Sequence, residues 1–256
     1  MIVDSHTHLF PPGMDKVGSS NMLLNEMDAC NVEKAVILGI YPRVKNEFLA
    51  DQAKTHPDRF IWVASVNPNE GVNALELLEY CVEELGARGL KLHPTMQHFD
   101  ADDVDLLTPL MEKVHGYEIP VLMHCWGWFG HNQEAPPIRM MTLAEAFPEV
   151  TFQMAHCGGM RFMDLLPLAR RRKMGQLDNL YVDISIILFD LDDSPLWPFL
   201  RWTLESIGLD RVLMGSDFPD YGLADTIALT RKLDFDDNAM QMILWRNAAR
   251  LYGLET

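Results

Sequence analysis

Ile2-Val3-Asp4-Ser5-His6-Thr7-His8-Leu9 opens the chain: an aliphatic pair runs straight into a polar stretch in which histidine recurs at alternate positions. Successive side chains of a strand point to opposite faces, so His6 and His8 share a face. Two imidazoles side by side at the end of a strand can grip one cation. An H-x-H pair also occurs at ordinary strand ends, so its weight depends on what the other strands offer.

Seven more apolar, β-branched runs follow that first one at residues 2–3: 34–40, 60–66, 89–92, 119–123, 150–154, 180–186 and 212–214. Their spacing of about thirty residues is that of a βαβ unit. Helical periodicity fills the intervals, as in Leu75, Leu78, Val82 and Leu85, or Leu106, Leu110 and Val114, each set repeating every three or four residues. Eight strands with covering helices in 256 residues match one (β/α)8 TIM barrel of about 250 residues. A doubly wound sheet binding a dinucleotide carries a G-x-G-x-x-G turn after its first strand, and none occurs. The reading is therefore one α/β domain over residues 1–256, a TIM barrel finished by a C-terminal helix.

Composition narrows the function. A net charge of −16 repels polyanions, and the densest basic run, Arg170 to Lys173, is one helical turn, so nucleic acid and anionic membrane are not expected partners. The expected partner is a small-molecule substrate, and the sequence leaves a homo-oligomer open. Cys30, Cys81, Cys125 and Cys157 form no C-x-x-C pair and are too few for a disulfide framework, which predicts reduced thiols and a cytoplasmic protein. The N-terminus enters a strand without a basic leader, and no apolar run reaches the length of a membrane span.

In such a barrel the chemistry sits at the carboxyl ends of the strands. The run 119–123 stops at His124, the run 150–154 stops just before His156, and the last leads through Gly215-Ser216 to Asp217. With His6 and His8, four strand ends offer imidazole or carboxylate, donors that suit zinc, manganese or iron. On the fourth strand Lys91 and His93 share a face. A lysine turned into the mouth needs a charge partner, a bound anion or a changed protonation state. His93, followed by Pro94, reads as a strand terminus, while His56 and His115 read as structural. The loop at 127–137, rich in aromatic and polar residues, is an expected active-site loop. Trp126 and Trp128 can stack on a ring, Arg161 can fork a carboxylate, and Phe10, Arg139 and Asp220 also follow strand ends.

These segments resemble the amidohydrolase superfamily, and within it the amidohydrolase-2 group of small hydrolases, lactonases and non-oxidative decarboxylases. The resemblance runs through the opening motif to Pro11, Gly89-Leu90-Lys91-Leu92-His93-Pro94, Val121-Leu122-Met123-His124, Ala155-His156-Cys157-Gly158-Gly159, Gly215-Ser216-Asp217-Phe218-Pro219 and the closing Asn247 to Leu254. It implies that His6, His8, His124 and Asp217 hold a divalent metal, zinc before manganese or iron, while His156 either binds a second metal or orients and deprotonates water, and Asp217 shuttles the proton. One ion is expected, or two if Lys91 is carbamylated; otherwise Lys91 binds substrate. Hydrolysis of an amide, lactone or related C–N or C–O bond is the first expectation. A decarboxylase of an aromatic acid is the alternative, less favoured because only the short stretch 11–20 is available for the inserted segment such enzymes carry after the first strand. A TatD-like nuclease, which places glutamate where Lys91 stands, and a metal-free binding protein rank lower.

Overall fold

A computed structural model describes residues 1–126 and 135–254. Its eight strands are β1 (Val3–His8), β2 (Lys34–Leu38), β3 (Phe60–Trp62, resuming at Ala64–Ser65), β4 (Leu90–Leu92), β5 (Val121–Met123), β6 (Phe152–Met154), β7 (Leu180–Asp183) and β8 (Val212–Leu213). Each pairs in parallel with the next in chain order. Across Val63, β3 hands the ladder over: the Val63 amide donates to Ile37 and the Ala64 amide to Gly89. The last strand returns to the first. The Ser5 amide donates to the Met214 carbonyl at 3.0 Å, the Asp217 amide to His6 at 2.8 Å and the His8 amide to Phe218 at 2.7 Å, and Thr7 pairs with Phe218. The cylinder closes as a TIM barrel, with the expected parallel order.

The helices that cover it bury the stripes their sequences carry. In α1 (Ser20–Cys30) the Ser19 hydroxyl caps the first turn and Asn31, at φ 56°, ends the last, the roles their short polar side chains favour. The helices α2 (Asn46–Thr55), α3 (Val72–Glu83), α4 (Val104–Gly116), α5 (Pro137–Ala146), α6 (Leu166–Arg172), α7 (Trp197–Ile207) and α8 (Leu223–Lys232) follow their strands. Of the periodic residues, Leu78, Leu110 and Val114 are fully buried, whereas Leu75 and Leu106 are half-buried.

The expected strand at 180–186 stops early. Asp183 Oδ1 accepts the Ser185 amide at 3.2 Å, and Ile186 takes φ 61°. That short side-chain turn outcompetes the β propensity of the isoleucines, and it makes Asp183 rather than Ile186 the end of β7.

A C-terminal helix, 237–251, forms the floor. It contains a π turn at Met242–Arg246, and the Ile243 carbonyl accepts the Met214 amide at 3.0 Å, a partner that an unbroken α-helix would not leave free. Asn247 Nδ2 donates to the carbonyls of Leu209 and Val212. Ala248, Leu251 and Tyr252 pack under Val3, Val36, Ile61, Leu122, Tyr181 and Leu213 inside the barrel. Apolar layers thus fill the lower interior, and the polar interior residues stand above them. All four cysteines are free thiols. No helix among the described residues is long and apolar enough to cross a membrane.

Candidate metal centre

Strand ends deliver the polar groups to one mouth. His6 and His8 lie on β1, His93, His124 and His156 follow β4, β5 and β6, Asp183 ends β7 and Asp217 follows β8. His8, His93, His124, His156 and Asp217 border a cavity of about 330 Å³ lined also by Phe10, Lys16, Arg43, Lys91, Trp126 and Asp220.

Asp217 is the focus. Its Oδ1 is buried and accepts no hydrogen bond among the described residues, although His6 Nε2 and His8 Nε2 stand 3.3 and 3.2 Å away. The network explains why. The Asp183 carboxylate can only accept, so His6 Nδ1, 3.0 Å from Asp183 Oδ2, carries the proton and its Nε2 presents a lone pair. A lone pair thus faces a carboxylate oxygen, and an orphaned buried oxygen is costly unless a cation or proton completes it. Donor atoms of His6, His156 and Asp217 all fall within 4.8 Å of one another. Burial opposes ionisation of Asp217, but the imidazoles of His8, His6 and His156 hold its carboxyl well below the usual carboxylate range.

A second branch leaves the same carboxylate. Asp183 Oδ1 accepts the Ser185 hydroxyl and the His156 amide, so Ser185 Oγ accepts from His156 Nδ1 at 2.8 Å. His156 Nε2 is then an acceptor for His124 Nδ1 at 3.2 Å, which leaves the His124 Nε2 lone pair free. The ring of His93 stacks on His124 at 3.8 Å. Burial pushes the imidazoles of His8, His156 and His93 down to about 4, 3 and 2, and that of His124 well down as well, so all four are neutral near pH 7. Neutral imidazoles beside an ionised carboxylate are the donor set a divalent zinc, manganese or iron ion requires. The residues fit a metal.

Lys91 is buried inside the barrel with Nζ 3.5 Å from His6 Nε2. Burial pushes its ammonium down to about 8 against the pull of Asp217 and Asp183. Trp126 meets His156 edge-on at 5.8 Å, and its ring lies so close to Gly159 that an added Cβ would come within 2.7 Å. His156, Cys157, Gly158 and Gly159 all take positive φ, a tight left-handed turn that throws His156 toward the mouth at a cost in backbone strain.

Of the residues singled out from sequence, His8, Lys91, Trp126, His156, Asp217 and, at the margin, Phe10 and Asp220 gather here together with His124, and His6 adjoins them beside Asp217. Of these, His6, His156 and Asp217 form the tightest donor cluster among the described residues, with His8 beside Asp217 and His124 beside His156. Arg161 is turned aside, its Nε 2.7 Å from Asp164 Oδ2, and Arg139 pairs with Asp100; neither lines the cavity. Trp128 and most of the loop expected at 127–137 lie outside the described residues. Sequence reasoning missed Asp183, hidden inside an overlong strand, together with Ser185, Lys16 and Arg43. It also took His93 for a terminus, yet His93 forms part of the wall.

Comparison with known proteins agrees with this fold. A model of the family described as Amidohydrolase matches residues 3–254. The fold is similar to that of an uncharacterised TIM-barrel protein from Bordetella bronchiseptica, at 24% identity and TM-score 0.79 over 99% of this chain and 98% of that one. A candidate 2-pyrone-4,6-dicarboxylic acid hydrolase from Pseudomonas putida aligns at 21% identity and TM-score 0.75 over 100% and 98% of the two chains. A dihydroxybenzoic acid decarboxylase from Polaromonas, with bound manganese and the inhibitor 2-nitroresorcinol, aligns at 17% identity and TM-score 0.74 over 99% and 97%.

Proposed function

We propose that this chain, which belongs to the amidohydrolase family, is a metal-dependent hydrolase of a small amide, lactone or related C–N or C–O bond. The observation that carries the reading is the buried, unpartnered Oδ1 of Asp217 facing the Nε2 atoms of His6 and His8. His6, His8 and Asp217 would hold the ion, with the fourth donor from the His124–His156 pair. Zinc is the first choice, and the neighbour with bound manganese keeps that metal in contention. Such an ion supplies a Lewis acid that polarises a carbonyl and acidifies water.

The chain's own groups do the rest. Asp217, ionised and without a hydrogen bond, takes the proton of the attacking water and returns it to the departing nitrogen or oxygen. His156, fixed by Ser185 and Asp183, orients the attacking water through its Nε2 lone pair. Trp126 and Phe10 form an apolar wall that limits entry of bulk water. Lys91, at the inner end of the cavity, meets a negatively charged substrate oxygen.

Decarboxylation remains the second reading, supported by the fold shared with a dihydroxybenzoic acid decarboxylase; there Asp217 would protonate the carbon that loses CO₂. Zinc- and manganese-loaded protein assayed on small lactones and amides, and in parallel for CO₂ release from hydroxybenzoates, separates the two. Ring opening or amide cleavage abolished by chelation is the expected result. Metal-dependent CO₂ release without hydrolysis would replace the first reading with the second.

A further inference from the structure

We infer that Arg43 is a carboxylate clamp and that the substrate is a compact acid bearing a carboxylate remote from the reacting carbon. This rests on the reading of the cavity as a small-molecule active site, and it names the class of molecule that enters.

Charge gives the first argument. The chain carries a net charge of −16, yet three cations, Lys16, Arg43 and Lys91, line this cavity against two carboxylates, Asp217 and Asp220. The cations are not equivalent. Lys16 is bound to Asp220, and Lys91 is buried against His6. Arg43 is exposed, and no hydrogen bond or ion pair engages its guanidinium among the described residues. A surface held so strongly negative that still places an uncommitted guanidinium at its mouth is arranged to draw in an anion.

The second argument is how the segment carrying Arg43 is built. After β2 the chain turns at residues 39–46, with the Val44 amide donating to Ile40 at 2.9 Å. Val44 is buried against Gly39, where an added Cβ would lie 2.6 Å from Val44 Cβ. The Tyr41 amide donates to Ser65 Oγ at 3.2 Å. Asn46 and Ser65 exchange two hydrogen bonds, Nδ2 to the Ser65 carbonyl at 2.9 Å and the Ser65 amide to Oδ1 at 2.8 Å. Gln97 ties the neighbouring loops together: its Nε2 donates to Val66 at 2.8 Å and Tyr41 at 3.4 Å, and its Oε1 accepts the His93 amide at 2.8 Å. Asn46, Ser65 and Gln97 are all buried. A satisfied, buried polar network rigidifies what it joins. Here it joins the loops after β2, β3 and β4, and the metal chemistry uses none of these three side chains. What the network does is hold the Arg43 backbone in fixed register with the cavity wall, which lowers the ordering cost of binding.

Guanidinium chemistry supplies the third argument. Its planar fork matches a carboxylate through two parallel hydrogen bonds. A 330 Å³ space between Arg43 and the Asp217 cluster holds a molecule about the size of a substituted ring, one end at the reacting centre and the other on the fork.

The test measures binding, independently of turnover. Zinc-loaded wild-type protein and the Arg43→Gln and Arg43→Lys variants are titrated calorimetrically with benzoate, isophthalate and phenyl phosphate at pH 7.5. Arg43 has no partner to lose among the described residues, so the variants should keep the wild-type melting temperature. In wild type the second carboxylate of isophthalate is expected to strengthen binding over benzoate by about tenfold or more. In Arg43→Gln that increment disappears while benzoate affinity stays within about twofold, and Arg43→Lys recovers part of it. Isophthalate binding no tighter than benzoate in wild type, or an undiminished increment in Arg43→Gln, overturns the assignment. So does phenyl phosphate binding more tightly than isophthalate through Arg43, which would make the site a phosphate site. If the clamp holds but no lactone or amide is cleaved, the proposed reaction fails alone; if a neutral lactone is cleaved and Arg43 discriminates nothing, this inference fails alone.

Discussion

At Asp217, φ is 60° and the carboxylate is buried beside three imidazoles, with one oxygen unpartnered among the described residues; a cation or proton would complete that oxygen. Asp217→Asn keeps the shape and removes the charge. Turnover on the substrate found by screening should fall by about 10²–10⁴-fold. Near-normal turnover would remove Asp217 from proton transfer. The buried histidines also set a pH dependence. His8, His93, His124 and His156 stay neutral in the fold to well below their ordinary value near 6.5, whereas the unfolded chain protonates them there. The unfolded state therefore binds more protons as pH falls below about 6.5, and each such group costs up to about 1.4 kcal/mol per pH unit. Asp4 acts in the opposite sense: burial raises its carboxyl to about 7, so it opposes stability as pH rises from its unfolded value toward that point. The four histidines outweigh it. Thermal melts of metal-free protein should lose stability from pH 7 to pH 5, and a flat or rising profile would show that these imidazoles are not held neutral.

At the scale of elements, one hydrogen-bonded column runs the length of the barrel. Tyr252, beneath the strands, donates to Gln153 Oε1 at 2.8 Å; Gln153 Nε2 donates to Asp183 Oδ2 at 2.8 Å; and that same oxygen holds His6. Gln153 thereby connects the C-terminal helix to the orientation of a candidate ligand, a supporting contact of the kind that commonly alters metal affinity by about 10–100-fold. Gln153→Leu should weaken zinc binding within that range in a competition titration against a chromophoric chelator, and Tyr252→Phe should weaken it less. Unchanged zinc affinity in Gln153→Leu would confine this residue to packing. These elements also mark where sequence reading stopped. His6, His8 and Asp217 were legible because they end strands that periodicity locates. Asp183 was not, because Ile184, Ile186 and Ile187 continue the β-branched pattern beyond the true end of β7, and only the tertiary bonds from Ser185 and His156 reveal the turn. Gln153 was invisible for another reason: a polar residue inside a short apolar strand gives no sign of whether it faces the barrel axis or the helices. Arg43 lies on a turn whose shape depends on Ser65 and Gln97, residues 22 and 54 positions further along the chain.

For the whole molecule, the eightfold repeat of short strands and amphipathic helices was enough to specify a closed barrel, since only closure lets β8 pair with β1 and bring Asp217 to His6 and His8. Closure is also what couples stability to the ion. A metal that binds the folded cluster and not the open chain should stabilise the protein by about 4 kcal/mol when present at a thousand times its dissociation constant, so zinc or manganese should raise the melting temperature and a chelator should reverse the shift. Anomalous diffraction from crystals grown with manganese, collected on either side of the metal absorption edge, tests the central claim most directly. The account predicts a peak bounded by His6 Nε2, His8 Nε2 and Asp217 Oδ1; an empty cluster in crystals with manganese bound elsewhere or not at all would contradict it.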